Sequence, residues 1–261
     1  MACLVSYFKK NKFRLYTLIF ILVIIAVSSS RALREFETVI ISSVVLIYVA
    51  LVVWGVSDIK INFFLKSINS FPTQKNKIAL TFDDGPSEKS EAVLDLLKEN
   101  NIKATFFLIG KNIALYPDIA KRIVEEGHSI GNHSWSHSSF FPLFFKRTMR
   151  EDLMKADDEI RETLGIEPKL FRPPFGVTNP TVSSVLDWFN YKVIGWSIRS
   201  FDTKNESVAK VLKRITSKVK GGDIILLHDS SLNIIEILEE LIPWLKNENY
   251  ELDTIENLLN Q

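Results

Sequence analysis

Cysteine occurs once in this sequence of 261 residues, at Cys3, so the chain can form no internal disulfide and has no cysteine cluster for a zinc site. Cys3 lies before the apolar segments rather than after one, which excludes it as the cysteine of a lipoprotein cleavage site. An incidental small residue is a better reading of it than acylation. Excess charge is missing as well. Lys and Arg number 32 against 31 Asp and Glu, a formal net charge of +1, and that balance gives nucleic acid nothing to bind by charge. Internal repeats and low-complexity tracts are absent. Histidine is scarce, with four in all, so the placing of each one is informative. The length allows one sizeable domain with appendages, rather than two large domains.

Apolar residues are plentiful and unevenly spread. Leu15 to Val27 (LYTLIFILVIIAV) and Thr38 to Val56 (TVIISSVVLIYVALVVWGV) are nearly uninterrupted, with a short charged connector, Arg31 to Glu37, between them. The second run is close to the roughly 20 residues that cross a bilayer. The first reaches that length when Ser28 to Ser30 and the flanking residues are included. A signal peptide is its rival, weakened because no small-residue cleavage site leads into a soluble chain. The expectation is a two-helix membrane anchor in residues 1–57, with helices at about 13–30 and 38–56. A juxtamembrane linker over 58–76 and one folded domain over 77–261 follow. Topology is pulled two ways. Lys9, Lys10, Lys12 and Arg14 favour a cytoplasmic N-terminus, and Lys60, Lys66, Lys75 and Lys77 a cytoplasmic domain. Arg31 and Arg34 in the connector compete weakly, offset by Glu35 and Glu37.

Beyond the linker, strand-like and helix-like patterns alternate. Strands are expected at Ile78 to Phe82, Ala104 to Ile109, Ser129 to Asn132, Leu170 to Arg172, Tyr191 to Ser197, Asp223 to His228 and near Tyr250. Helices are expected after Ser87, with Val93, Leu96 and Leu97 on one face, and from Pro117 to a stop at Gly127. Others start at Asn179-Pro180, run through Val208, Leu212 and Ile215, and span about Ile234 to Leu245. Such alternation predicts a parallel α/β sheet. Polar residues fall where strands end: Asp83 and Asp84, His133, Arg172, His228. In a barrel these ends converge on one rim, the usual face for a site, whereas a doubly wound sheet would spread them along a line. The barrel is preferred.

Two segments carry chemistry on their own. His133-Ser-Trp-Ser-His137 spaces two histidines at i, i+4, on one side of a helical turn, where they can chelate one metal. The Gly-Asn-His context favours an exposed turn. His128 has no such partner and reads as structural. Thr81-Phe-Asp-Asp-Gly-Pro86 sets two adjacent carboxylates directly after an apolar strand, where burial is costly without partners. A turn would need only one aspartate. The second suits a metal ligand and the first a base beside it.

Taken together, TFDDG, HSWSH, RPPFG (Arg172 to Gly176), WSIRSFD (Trp196 to Asp202) and LLH (Leu226 to His228) resemble the five ordered motifs of the polysaccharide deacetylase family. This is the NodB-homology group, carbohydrate esterase family 4. The resemblance runs from about Ile78 to about Leu259, with ordinary spacing, and is nearest to bacterial members with two apolar segments ahead of the domain. It implies a distorted (β/α)7-type barrel and a hydrolase that removes N-acetyl groups from amino sugars in a polysaccharide, peptidoglycan or a chitin-like polymer. Asp84, His133 and His137 would hold one divalent metal, zinc first, with cobalt, nickel or manganese possible. Asp83 would be the general base, Arg172 its orienting partner and His228 the general acid. Pro173, Phe175, Trp196, Asp202 and Leu226 would line the substrate site, a backbone N–H near Phe175 serving the oxyanion.

The chain departs from the family pattern at two places that matter. In the usual Asp-x-x-Asp-Trp segment, Arg199 stands where the first aspartate would tune the catalytic histidine, and Thr203 replaces a tryptophan of the acetyl pocket. Trp196 or Leu226 would supply that wall, Leu226 being the better match. Phe175 stands where tyrosine is frequent, at little cost because the donor there is backbone. The expected partners are a polysaccharide and the membrane, with the domain on the extracytoplasmic side. The rival readings are a deacylase or deformylase of a lipid-linked amino sugar, and an inactive membrane-tethered carbohydrate-binding module.

Overall fold

Two helices open the described chain, residues 12–261 of the computed structural model; Cys3, Lys9 and Lys10 lie outside it. Helices α1 (Lys12–Ser29) and α2 (Glu37–Ser57) fall within a residue or so of the expected bounds. They lie side by side: Thr17 Oγ1 and Tyr48 Oη are 2.7 Å apart, and the Phe20 and Tyr48 rings stack at 4.2 Å. Both are apolar on all sides yet stay largely uncovered, Leu46 and Ile25 among the exposed residues. By length and composition each is able to cross a membrane.

The stretch expected as a linker is folded onto the domain. Phe63, Phe64 and Leu65 are buried, Ile68 bridges Ile194, and Ser70 bridges Asp223.

The domain then alternates strand and helix as the apolar pattern requires. Its first half comprises β1 (Lys77–Gly85), α3 (Ser90–Glu99), β2 (Thr105–Leu108), α4 (Gly110–Leu115), α5 (Pro117–Glu125), β3 (Ser129–Asn132) and α6 (Lys146–Leu164). Next come β4 (Leu170–Phe171), α7 (Pro180–Leu186), β5 (Lys192–Val193), β6 (Ile198–Arg199), α8 (Val208–Thr216) and β7 (Ile224–His228). The chain closes with α9 (Ile234–Asn247), β8 (Glu251–Leu252) and α10 (Ile255–Leu259). The strands form a parallel sheet in the order β5-β4-β3-β2-β1-β7-β6, with β8 added to the start of β1. It curls into an open barrel, as expected.

Strand periodicity decides which side chains meet. Leu80 and Phe82 of β1, with Phe106, Leu108, Ile225 and Leu227, pack beneath α3, α5, α8 and α9. Ala79, Phe107, Ile224 and Leu226 join a second cluster with Trp196 and with Met149 and Leu153 of α6. Thr81 and Asp83 alternate onto the Ala79 side of β1. Asp83 sits in register with His228 of β7, so the parallel ladder itself brings two of the expected catalytic residues to one rim.

Three local expectations are corrected. The expected strand from Tyr191 to Ser197 holds only the two residues of β5, and β6 starts just past it at Ile198; between them the chain passes Gly195, where a Cβ would lie 2.0 Å from Asn69 Oδ1. Ser87 does not cap α3; it sits in a turn, its N–H bonded to Ser90 Oγ at 2.7 Å. The nineteen-residue helix α6 was not anticipated at all. It buries Met149, Leu153, Ala156, Asp157 and Ile160, and ends at Gly165 in the left-handed region. The cap at Asn179 is as expected, its side chain accepting from Val182 N.

If α6 is held by this stripe, Leu153→Ala should cost about 3 kcal/mol of stability. The exposed Glu162→Ala should stay within about 0.5 kcal/mol. Denaturant midpoints of the detergent-solubilised variants measure both.

Candidate active site

Arg172 leaves β4 with its side chain fully buried. Its guanidinium is saturated by Asp83 Oδ1 at 2.7 Å, Thr81 Oγ1 at 2.9 Å, and the carbonyls of Gly195 at 2.8 Å and Ile194 at 3.2 Å. A buried guanidinium needs this set of acceptors, one of them charged. One carboxylate oxygen of Asp83 is thereby fixed, and Oδ2 is left 3.7 Å from His133 Nε2.

Asp84 turns away from its neighbour because its backbone enters the left-handed region, at φ 71°. Its Oδ1 lies 3.5 Å from His133 Nε2 and 3.2 Å from His137 Nε2. That oxygen is buried and has no hydrogen-bond partner. The three ligand atoms of Asp84, His133 and His137 all lie within 4.8 Å of one another. An orphaned carboxylate oxygen facing two imidazole nitrogens fits a divalent cation with room for further ligands. His133 Nδ1 contacts the Arg172 carbonyl at 2.7 Å; the ring donates there, which leaves the Nε2 lone pair for a metal.

The two histidines do not share a helical turn, and His133 is not exposed. Residues 133–138 form a loop with Ser134 and His137 at positive φ, and His133 is buried. Its shape is set by Ser134 Oγ, which accepts from His137 N at 3.0 Å, and by acceptors from outside the motif. Asn132 Oδ1 accepts from Ser134 N at 2.6 Å, and Asp152 of α6 accepts from Trp135 N at 2.9 Å and Ser136 N at 3.2 Å. Asn132 Nδ2 in turn donates to Asp157 Oδ1 at 2.7 Å.

Electrostatics separates the imidazoles. Burial pulls both pKa values down. At His133 the carboxylates of Asp83 and Asp84 outweigh it and the net shift is upward. His137, with His133 beside it, falls to about 4. Asp84 is desolvated too, yet the histidines hold it well below the usual carboxylate range.

Across the rim, His228 Nδ1 is 2.8 Å from Asp202 Oδ1, and the His228 N–H donates to Asp202 Oδ2, also at 2.8 Å. Asp202 is held in turn by Ser200 Oγ at 2.6 Å, and Ser231 Oγ donates to its carbonyl at 2.8 Å. Burial lowers the His228 pKa, but the bond and charge of Asp202, with Asp83 and Asp84 nearby, carry it above the ordinary value. The departure from the family pattern at Arg199 therefore leaves this histidine with a carboxylate partner. Arg199 is exposed, lying over the Trp196 and Phe201 rings, while Asp202 is the tuning partner.

The remaining expected residues surround these groups. Pro173 and Pro174 carbonyls accept from Gly176 N and Val177 N at 2.9 and 3.2 Å. That turn puts Phe175 at φ 60° with its ring 4.6 Å from that of His137. Trp196 packs against Gly176, where a Cβ would meet its ring at 2.2 Å. Leu226 is buried on the His228 side of β7. His128 is structural as expected, accepting from Ala104 N at 3.0 Å. Asn132, Asp152 and Asp229 were missed. Asp229 is fully buried beside Gly85, and burial raises its carboxyl to about 7. Its place directly after LLH was the available signal; Asp152 offered none, because its helix was not foreseen.

A curled parallel barrel with a two-histidine, one-aspartate cluster at the carboxyl rim defines an α/β-barrel protein with a candidate single-metal centre. More particularly, the chain belongs to the polysaccharide deacetylase family, whose model matches residues 71–194. It is 34% identical over 197 residues to a peptidoglycan-N-acetylglucosamine deacetylase of Bacillus cereus, covering 72% of this chain and 70% of that protein. It is 35% identical over 189 residues to the peptidoglycan-N-acetylglucosamine deacetylase PgdA of Listeria monocytogenes, covering 71% of this chain but only 39% of that longer protein. Among solved structures, the Bc1960 peptidoglycan N-acetylglucosamine deacetylase, in complex with a naphthalenyl N-oxidanyl-benzamide, superposes with a TM-score of 0.68. It is 32% identical and covers 73% of this chain and 91% of that one.

Replacing Asp202 by Asn should remove the charge that raises the His228 pKa. Activity that needs protonated His228 falls as pH rises through that pKa, so the alkaline limb of kcat/KM should move to lower pH. An unmoved limb would show that His228 is not the acid. Separately, His133→Ala and His137→Ala should each lose metal by elemental analysis; full occupancy in the double variant would overturn the ligand set.

Proposed function

We propose that the chain is a membrane-tethered deacetylase that hydrolyses the N-acetyl group of amino sugars in a polysaccharide, with peptidoglycan favoured by the activity named for its relatives. The observation that carries this reading is the pairing of Asp83 and His228 across β1 and β7, on either side of the Asp84, His133 and His137 cluster.

Asp84, His133 and His137 would hold a divalent cation, which when bound would supply Lewis-acid polarisation of the amide carbonyl and acidify the attacking water. The donor set favours zinc, with cobalt, nickel and manganese as alternatives. Asp83 takes the proton of the water, its carboxylate aimed by the Arg172 guanidinium. The Phe175 N–H, turned out by the left-handed backbone, donates to the carbonyl oxygen as it becomes an oxyanion. His228 Nε2 delivers a proton to the sugar nitrogen, which would otherwise leave as a strong base. Asp202 on Nδ1 keeps that ring protonated and oriented. The C–N bond breaks, and acetate and the free amine are the products. Trp196 and Leu226 both remain suited to walling the methyl of the acetyl group, since Thr203 is exposed.

The tether is α1 and α2. Their antiparallel pairing supports an N-out hairpin with the Arg31 to Glu37 connector inside, over a single crossing with α1 along the interface. Lys12 Nζ donates to the Ile61 carbonyl at 2.7 Å, so both ends of the hairpin meet the domain. The domain then faces the wall side, where acetylated polymers lie. Reporter fusions at Ser30 and after Gln261 test this. An inactive alkaline phosphatase with a bright fluorescent protein at the C-terminus would put the domain inside and favour the lipid-linked substrate.

Acetate release by the metal-loaded protein should be faster from peptidoglycan than from chitin oligomers. Asp83→Asn should keep its metal and lose more than nine-tenths of turnover, over ~1.4 kcal/mol in the barrier. A variant that retains more than about a tenth of turnover would remove Asp83 as the base.

A further inference from the structure

Exposed apolar side chains scattered singly are ordinary on any protein surface. Here three of the most exposed lie within six residues: Phe140, Leu143 and Phe145, at 67%, 77% and 86%. They belong to the segment that leads from His137 to α6. Phe141 in the same segment is fully buried, and Phe144 packs on the core. The backbone is thus pinned while the alternate apolar side chains are held outward. Lys146 and Arg147 follow, both exposed. An apolar tip with a basic flank is the composition of a segment that lies in the interfacial layer of a bilayer.

The segment is also next to the anchor. The Pro142 carbonyl accepts from Asn179 Nδ2 at 2.6 Å. The adjacent Thr178 donates its N–H to the Val56 carbonyl at 3.3 Å, in the last turn of α2. The start of α1 is docked on the same side: Phe13 N donates to the Phe63 carbonyl at 3.0 Å, and the Phe13 and Phe64 rings are 5.0 Å apart. Ser183 Oγ of α7 completes the contact on the Phe64 carbonyl at 2.9 Å. The domain is therefore seated on the helix ends rather than hung from a loose strand. The site shares this seat. Phe175, against His137, is three residues from Thr178, no more than about 11 Å along the chain.

We propose that Phe140, Leu143 and Phe145 insert into the interfacial layer of the bilayer that α1 and α2 span, as a second membrane contact beside the mouth of the site. This rests on the anchor reading above. The contact holds the catalytic rim at the level of the lipid headgroups, with Lys146 and Arg147 among the phosphates, so the amino sugar reached first is the one presented at the membrane surface.

The test uses the full chain with Cys3→Ser, reconstituted in vesicles of phosphatidylethanolamine and phosphatidylglycerol. An environment-sensitive fluorophore is placed in turn at Leu22→Cys, Leu143→Cys, Phe145→Cys and Glu239→Cys, the last on exposed α9 surface. Retained acetate release certifies the fold of each labelled protein. The expected result is blue-shifted emission, quenched by spin-labelled lipid, at 22, 143 and 145, and water-like emission at 239. Quenching at 22 with water-like emission at both 143 and 145 overturns the second contact and leaves the anchor standing. Water-like emission at 22 as well overturns the anchor, and this contact with it.

Discussion

A guanidinium taken wholly out of water has to find every acceptor within the fold, and Arg172 does so with four acceptors drawn from two segments. Its side chain binds Thr81 and Asp83 at the end of β1 and the Ile194 and Gly195 carbonyls past β5. Its own carbonyl fixes His133. Removing one partner of such a buried pair leaves an uncompensated charge, a loss of ~3–5 kcal/mol. The Asp83 carboxylate and the His133 imidazole are thus oriented by the same residue, and neither can turn without breaking the set.

Around that centre the rim is braced by carboxylates that accept hydrogen bonds from its loops. Asp152 and, through Asn132, Asp157 hold the loop that carries His133 and His137. Asp202 performs the same service for His228. Each loop departs from regular structure, with positive φ at Ser134, His137, Phe175 and Phe201, and each is paired with acceptors that suit it. Backbone strain of this kind persists where surrounding bonds over-determine it, and it aims side chains that a helix or strand would point elsewhere.

Seating the domain on the helix ends extends the same principle to the two N-terminal helices. Residues 58–76 look like a spacer from composition, since they are short of long apolar runs and include Pro72. Yet Phe63 and Phe64 are buried against Phe13, and Ile68 and Ser70 bridge the domain. A free tether would leave the domain loose from the two apolar helices; a seated one fixes its position against their ends.

The chain's own order of residues was enough for the two apolar helices, the alternation of strands and helices, and the gathering of Asp83, Asp84, His133, Arg172 and His228 at one rim. All of these follow from short-range pattern, from period and from motif. The tertiary structure decided the rest, because it depends on which distant groups meet. Helix α6 has a strongly polar sequence whose apolar stripe becomes evident only when buried. The histidine loop takes its shape from Asn132 on β3, Asp152 on that helix and its own Ser134 hydroxyl rather than from a helical spacing. The tuning partner of His228 is Asp202 and not position 199, since a side chain's direction after a broken strand is set by the turn at Phe201 and by the serines that grip it.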